Sequence, residues 1–398
     1  MSEWATTTIR EIAETFDGPH ATPQKTDSGP WFLSISSLDH GRLDLNESAH
    51  LSEEDFQRWT RRVTPRGGDV LFSYETRLGE AALMPSGLRA CLGRRMALLR
   101  PDPGKADSRF LLYAYLGPQF QDLIRERTVR GATVDRIPLV DLPSWPIRLP
   151  DLSAQKAIAA VLGALDDKIA INDQIAKTAR ELSQAHFGVV LEAHDSEEAD
   201  LASIVAFLSR GVTPRYTEDR SQLGVLNQKC IRDGRVNLRP ARRTSRDKVP
   251  ESKLLRMHDV LVNSTGVGTL GRVARWTNEE PYTADSHVTI VRFDPYKTDP
   301  LCAGIGMLNA AAIIEALGEG STGQTELSRA QLAAVRLVLP SRNRAAELRP
   351  KLEAFEKRGE TALAESLTLA DLRDALLPRL MSAEIRVRDA EKIVEDAT

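Results

Sequence analysis

The sequence predicts an α+β chain in which two pseudo-repeated globular domains are separated by two long helices that pair as an antiparallel coiled coil. Two observations carry this prediction. Four sequence anchors recur in the same order at nearly one offset, and each copy closes with an amphipathic stretch much longer than an ordinary globular helix. The elements divide as residues 1–148 for the first globular part, 149–192 for the central helix, 193–338 for the second globular part, and 339–398 for the C-terminal helix and tail.

The anchors run along each globular part. "HGRLDL" from His40 matches "DGRVNL" from Asp233, 193 positions on. "GDVLFSYETRLGEAALMP" from Gly68 matches "HDVLVNSTGVGTLGRVAR" from His258, with Asp69 and Asp259 separated by 190. "RRMALLRPDP" from Arg94 matches "SHVTIVRFDP" from Ser286 at 192, and Pro150 of "IRLPDLSAQKAIAAVL" matches Pro340 of "LVLPSRNRAAELRPKL" at 190. Between the anchors the parts mix short strands and turns with helical stretches such as "ADSRFLLYAYLGPQFQDLIRER".

One repeat contains Gly266, Gly268 and Gly271 in G-x-G-x-x-G spacing, the pattern of a dinucleotide cradle. Such a cradle needs a helix opening directly after it, whereas "GRVARW" alternates like a strand, and the first copy keeps only Gly79, opposite Gly271. The glycines are therefore read as a hairpin whose residues need positive φ, in a loop that varies between copies.

The helices follow each part. After Pro150, with Asp151 or Ser153 as cap, the residues Ile158, Leu162, Leu165, Ile169, Asn172, Ala176, Ala179 and His186 recur at spacings of three and four, and Val161, Ile175, Leu182 and Val189 widen the stripe. The second helix carries Leu348, Leu352, Phe355, Ala362, Leu363, Leu369, Leu376 and Leu380, with Pro350 and Pro378 expected near its ends. A rod of this kind, about 57 Å long at 1.5 Å per residue, must bury its stripe, and the other copy's rod is the available partner. Antiparallel pairing would relate the copies by a pseudo-twofold axis. Asn172 is read either as a register-setting seam residue or as a tolerated polar one, and Gly359 either as a point of close approach or as a tolerated small one.

Composition narrows the function classes. At 398 residues, 41% apolar and 27% charged, the chain is ordinary for globular protein of two to three domains. It has no apolar run of about 18 residues, and "MSEWATTTIREIAETF" lacks the basic start and apolar core of a signal peptide, so a cytoplasmic location and no membrane are expected. Cys91, Cys230 and Cys302 are scattered without metal-ligand spacing and are expected to be buried free thiols, with no metal or cofactor bound. The net charge is −3, yet Arg210 to Arg256 holds 13 Lys or Arg against 5 Asp or Glu, a basic segment compatible with phosphate contacts or with simple solvation. "LEAHDSEEAD", Leu191 to Asp200, reads as a solvated acidic connection.

Several stretches resemble the specificity subunits of type I restriction-modification systems: "RLPDLSAQKAIAAVLGALDDKI", "GSTGQTELSRAQLAAVRLVLP", "LRDALLPRLMSAEIRV", "GDVLFSYETRLGEAAL", and "GVGTLGRVA" with "ADSHVTIVR". The set spans essentially the whole chain. One departure is that the second helix opens on "PSRNRAAEL", with no glutamine matching Gln155. The resemblance implies two target-recognition domains, each reading half of an asymmetric bipartite DNA sequence, with the helices setting the gap and docking two methyltransferase subunits. Restriction/translocase subunits would join that core, and S-adenosylmethionine, ATP and Mg would belong to the partner subunits.

Residue type and alignment then nominate DNA contacts: Arg215, Gln228, Lys229, Arg235, Asn263, Thr265, Arg272 and His287 in the second part, and Lys25, Arg42, Tyr74, Arg77 and Arg95 in the first. No catalytic residue is nominated. "DPYK" at Asp294 is a poor match to an Asn-Pro-Pro-Tyr methyl-transfer motif, no phosphate loop occurs, and Glu251-Ser252-Lys253 is a triplet that charged sequences produce freely. The alternative function is a non-catalytic adaptor with twin domains that does not read DNA. The tail "RDAEKIVEDAT" is expected either to be disordered or to pack beside the first domain.

Overall fold

The computed structural model describes residues 4–131, 134–192, 196–266, 268–318 and 326–397. Two compact units emerge: Met1–Ile171 with Glu365–Thr398, and Asn172–Ala364. Each contains one globular part together with half of each long helix.

The repeat is a repeat of topology. In the first unit an antiparallel sheet has the order Ala13–Asp17, Met96–Pro101, Val70–Ser73, Ala81–Leu83. In the second the order is Val205–Arg210, Val288–Phe293, Val260–Asn263, Val273–Arg275. The central strands are buried along their whole length, which is why "VLFS" and "VLVN" read as continuous runs rather than alternating ones. A smaller sheet also recurs, in which Thr26–Leu33 pairs in parallel with Ala90–Leu92, and Leu223–Leu226 with Tyr282–Ala284. A third two-stranded ribbon, Ala5–Thr8 with Pro146–Leu149, has its counterpart in Ser196–Asp200 with Arg336–Pro340.

Matching buried ion pairs explain two of the anchors. Asp69 accepts from Arg100 (2.7 Å) and Asp259 from Arg292 (2.6 Å), joining the neighbouring strands through carboxylates that are almost fully buried. A lone buried carboxylate would be costly, so both members persist together in each copy. Burial raises the pKa of Asp259 against the pull of Arg292.

The central helix spans Leu152–Glu192 and the C-terminal helix Arg342–Met381. Within the first unit Asp166 meets Arg373 and Lys168 meets Glu365; within the second, Gly359 lies against Ala176, and Phe355 stacks on His186. In each, one number rises as the other falls, so the pairing is antiparallel. Ile158, Leu162, Leu165 and Ile169 share a core with Leu376 and Leu380, and Leu352 joins the core of the second unit; Phe355 and Leu363 face Ala176 and Ala179 across a small cavity. Asn172 is buried. Gly359 faces Ala176 and Ala179, and a Cβ there would stand in ordinary contact with them at 3.7 Å, so the site tolerates a small residue rather than requiring glycine.

Several expectations need correction. Leu182 and Val189 are 43% and 66% exposed, because the end of the central helix turns Phe187 into the core of the second unit instead. Pro350 lies inside the C-terminal helix, which begins eight residues earlier at Arg342. The stretch from Ser108 is two helices, Ser108–Leu116 and Pro118–Arg127, broken at Gly117 where Pro118 starts the second. The acidic connection is half strand, Ser196–Asp200, while residues 193–195 lie outside the described residues, as do 320–325 of the stretch beginning "GSTGQTE". The tail forms the helix Val387–Ala397, which packs Ala390, Ile393 and Val394 on the first unit's core. The departure at Gln155 also has a structural meaning. Gln155 is buried, accepts from Asp107 N and donates to the carbonyls of Lys105 and Pro150, whereas in the second copy Arg349 grips Asp299, the counterpart of Asp107.

Candidate nucleic-acid interface

In the second unit three loops converge. Gln228 opens a short turn after Leu223–Leu226, Thr265 follows Val260–Asn263, and His287 precedes Val288–Phe293. Gln228 Nε2 donates to Thr265 O (2.6 Å) and Oγ1 (2.5 Å), and Thr265 Oγ1 lies 2.8 Å from His287 Nδ1. Asn227 Oδ1 accepts from Lys229 N, which fixes the turn and leaves the Lys229 side chain exposed. Thus four of the eight residues nominated here are brought together, with Gln228 and Thr265 half-buried and Lys229 and His287 exposed.

The glycine-rich stretch is the hairpin the alternation implied. Val260–Asn263 pairs with Val273–Arg275, and Gly266, Gly268 and Gly271 have φ of 106°, 73° and 76°. Arg272 Nη2 donates to Gly268 O and braces this loop. Nothing in this geometry resembles a helix N-terminus open to phosphate.

The equivalent place in the first unit is built from Glu75, Thr76, Arg77 and Arg95. Arg95 Nε stands 3.0 Å from Glu75 Oε2 as an ion pair without hydrogen-bond alignment, and its Nη1 donates to Thr76 Oγ1 (3.3 Å). Arg77 donates to Ile35 O and pairs with Glu80. Glu75 and Thr76 were missed, although the repeat already set Glu75 opposite Thr265. Lys25 is exposed, apart from this cluster in the loop before Thr26–Leu33.

Four nominated residues are engaged or buried within their own unit. Arg42 donates to Asp166 O and lies 3.6 Å from the Asp166 carboxylate, so it holds the globular part to the helix. Arg235 is half-buried against the second unit's helices, and burial followed by the charge of Arg180 lowers its pKa. Tyr74 is buried, which raises its phenol pKa. Asn263 is fully buried and donates to Gln228 O (3.1 Å), positioning the turn rather than presenting an amide.

Part of the basic segment is also neutralised internally. Arg210 pairs with Glu326, Arg246 with Glu251, and Lys253 Nζ donates to Gly211 O. Arg215, Arg220, Lys229, Arg239 and Arg256 remain exposed, and Arg242 stacks over Tyr216 at 3.5 Å. Exposed cations of this kind are able to contact phosphate. Cys91, Cys230 and Cys302 are buried free thiols, and burial pushes Cys230 up to about 11 and the other two up to about 12. No single helix among the described residues is long and apolar enough to cross a membrane.

Comparison with known proteins agrees with this architecture. Residues 1–180 match the family described as type I restriction modification DNA specificity domain. A protein described as the type I restriction enzyme MjaX specificity subunit of Methanocaldococcus jannaschii is 33% identical over 182 residues, 44% of this chain and 42% of that protein. The type I restriction enzyme HindI specificity subunit of Haemophilus influenzae is 21% identical over 335 residues, 64% of this chain and 72% of that one. The S subunit of a type I restriction-modification system from M. genitalium shares the fold, with a TM-score of 0.58, 15% identity, and 95% and 96% of the two chains covered.

Proposed function

We propose that this chain, whose residues 1–180 match the family described as type I restriction modification DNA specificity domain, acts as the sequence-reading subunit of a type I complex and binds an asymmetric bipartite DNA target. The observation that carries the reading is the recurrence of one loop constellation in both units with different side chains at matching positions, Glu75 and Arg95 in one, Thr265 and His287 in the other. A repeated scaffold with unequal loops reads two unequal half-sequences.

The chain itself carries no catalytic role in this proposal. Two methyltransferase subunits dock on its helices and restriction/translocase subunits join them, bringing S-adenosylmethionine, ATP and Mg with their own active sites. The target-recognition domains are residues 1–148 and 193–338, with the central spacer helix in 149–192 and the C-terminal spacer helix and tail in 339–398. Single-molecule sequencing of methylated DNA from cells with and without this gene tests the proposal. A two-part motif methylated in both halves only when the gene is present is the expected result; an unchanged methylation pattern while the complex assembles would refute it.

A further inference from the structure

The two loop constellations share a backbone scaffold, bond for bond. Tyr74 N donates to Arg95 O (3.1 Å), as Ser264 N does to His287 O (2.8 Å). Ile137 N donates to Tyr74 O and Leu327 N to Ser264 O, both at 2.9 Å. Glu75 bridges Arg136 as Thr265 bridges Glu326. These bonds hold residue 75 beside 95 and residue 265 beside 287, so the two pairs occupy one structural position whose chemistry differs between units.

Both pairs are oriented rather than loose. Thr76 and Arg95 each have φ of 73°, a left-handed conformation unusual for any side chain and strained for a β-branched one. That strain brings Thr76 Oγ1 to the guanidinium, while Glu75 holds Nε, and Nη2 has no protein partner among the described residues. In the second unit the Gln228 amide lies over Gly266, whose φ of 106° favours glycine. Thr265 Oγ1 accepts from Gln228 and lies 2.8 Å from His287 Nδ1, so the ring is tied through one of its two nitrogens. His287 is exposed, and its other nitrogen, Nε2, is the one left to meet a base edge.

Resting on the DNA-reading role above, we propose that Arg95 and His287 are the base-reading residues at the corresponding step of each half-site, with Glu75 and Thr76, and Thr265 and Gln228, as their positioning residues. A fixed guanidinium edge matches guanine O6 and N7 in the major groove. In its Nε2–H form the imidazole offers one donor, which matches a purine N7 and discriminates less between guanine and adenine. The first half-site then contains a guanine at this step, and the second a purine.

The test selects duplexes from a randomised pool with the full chain co-expressed with its modification subunits, and sequences both halves of the bound motif. Arg95→Lys, which keeps the charge and loses the bidentate edge, and the graft of Glu75→Thr with Arg95→His are each expected to weaken a guanine preference by roughly tenfold to a hundredfold. The effect falls at one position of one half, and His287→Ala relaxes one position of the other half only. Motifs unchanged in all three variants, with affinity lowered evenly, would make these residues phosphate contacts and overturn the inference while leaving the DNA-reading role intact. If the unaltered complex selects no motif, the reading role itself falls and this assignment with it.

Discussion

Asp166 offers the sharpest test of how the first unit is held to its helices. Its carboxylate, 15% exposed, accepts from Tyr113 Oη (2.6 Å) and Arg373 Nη1 (2.8 Å), and Arg42 lies 3.6 Å away. Asp166→Asn preserves shape and one acceptor but removes the charge facing Arg373, which is 16% exposed. Removing one member of a buried pair costs about 3–5 kcal/mol, and the residual water access here favours the lower end, about 3 kcal/mol. For a unit of roughly 200 residues that corresponds to a fall of about 6–12 °C in thermal midpoint. Urea unfolding followed by tryptophan fluorescence reports it directly, because Trp4, Trp31, Trp59 and Trp145 lie in this unit and a Trp276→Phe background silences the other. A loss under about 1 kcal/mol, the scale of an exposed pair, would refute the buried-network account. The companion Arg42→Ala is expected to destabilise without changing the salt dependence of DNA binding. If instead the slope falls by about one, Arg42 touches phosphate.

Three further outcomes follow from local geometry. Burial, then the charge of Arg275, holds His258 below its ordinary 6.5, so the unfolded chain takes up this proton first. Its stabilising contribution is present above the unfolded pKa and lost as pH falls through it. Thermal midpoints between about pH 7 and 5.5 should therefore drop more in the natural protein than in His258→Asn, which tolerates the φ of 71° at this site; equal slopes would refute the assignment. Gly359→Ala should stabilise by up to about 1 kcal/mol through helix propensity, since its Cβ meets only ordinary contacts at 3.7 Å, whereas Gly359→Leu should cost about 1–3 kcal/mol by overpacking; chemical denaturation of both decides. Arg215→Ala and Lys229→Ala, at exposed positions, should each reduce the salt slope of DNA affinity by about one with the selected motif unchanged; a changed motif would make either a base reader.

Much of the fold was legible because it is written locally. The strands "VLFS" and "VLVN", the hairpin that follows each, and the aspartates Asp69 and Asp259 with their partners Arg100 and Arg292 recur because the same strand pairing sets them side by side in both copies. The helix stripes were legible for the same reason: spacing of three and four places Ile158, Leu162, Leu165 and Ile169 on one face whatever lies opposite. At Phe187 the pattern failed, because which side of the last turns is buried depends on the sheet packed against it.

The site was legible only in part. The repeat pointed to Thr265, His287 and Arg95, and left Arg42 and Arg235 indistinguishable from surface cations. Their fates are decided by partners far off in the chain, Asp166 for Arg42 at a separation of 124 residues and the helices lining a cavity for Arg235. Periodicity and composition are properties of neighbours along the chain, so by itself the sequence determined two like units, a hairpin loop that varies between them and two paired helices. Which arginine is spent on an internal carboxylate and which is left facing water was decided by tertiary structure alone, because charge pairing acts through a few ångströms of space and takes no account of distance along the chain.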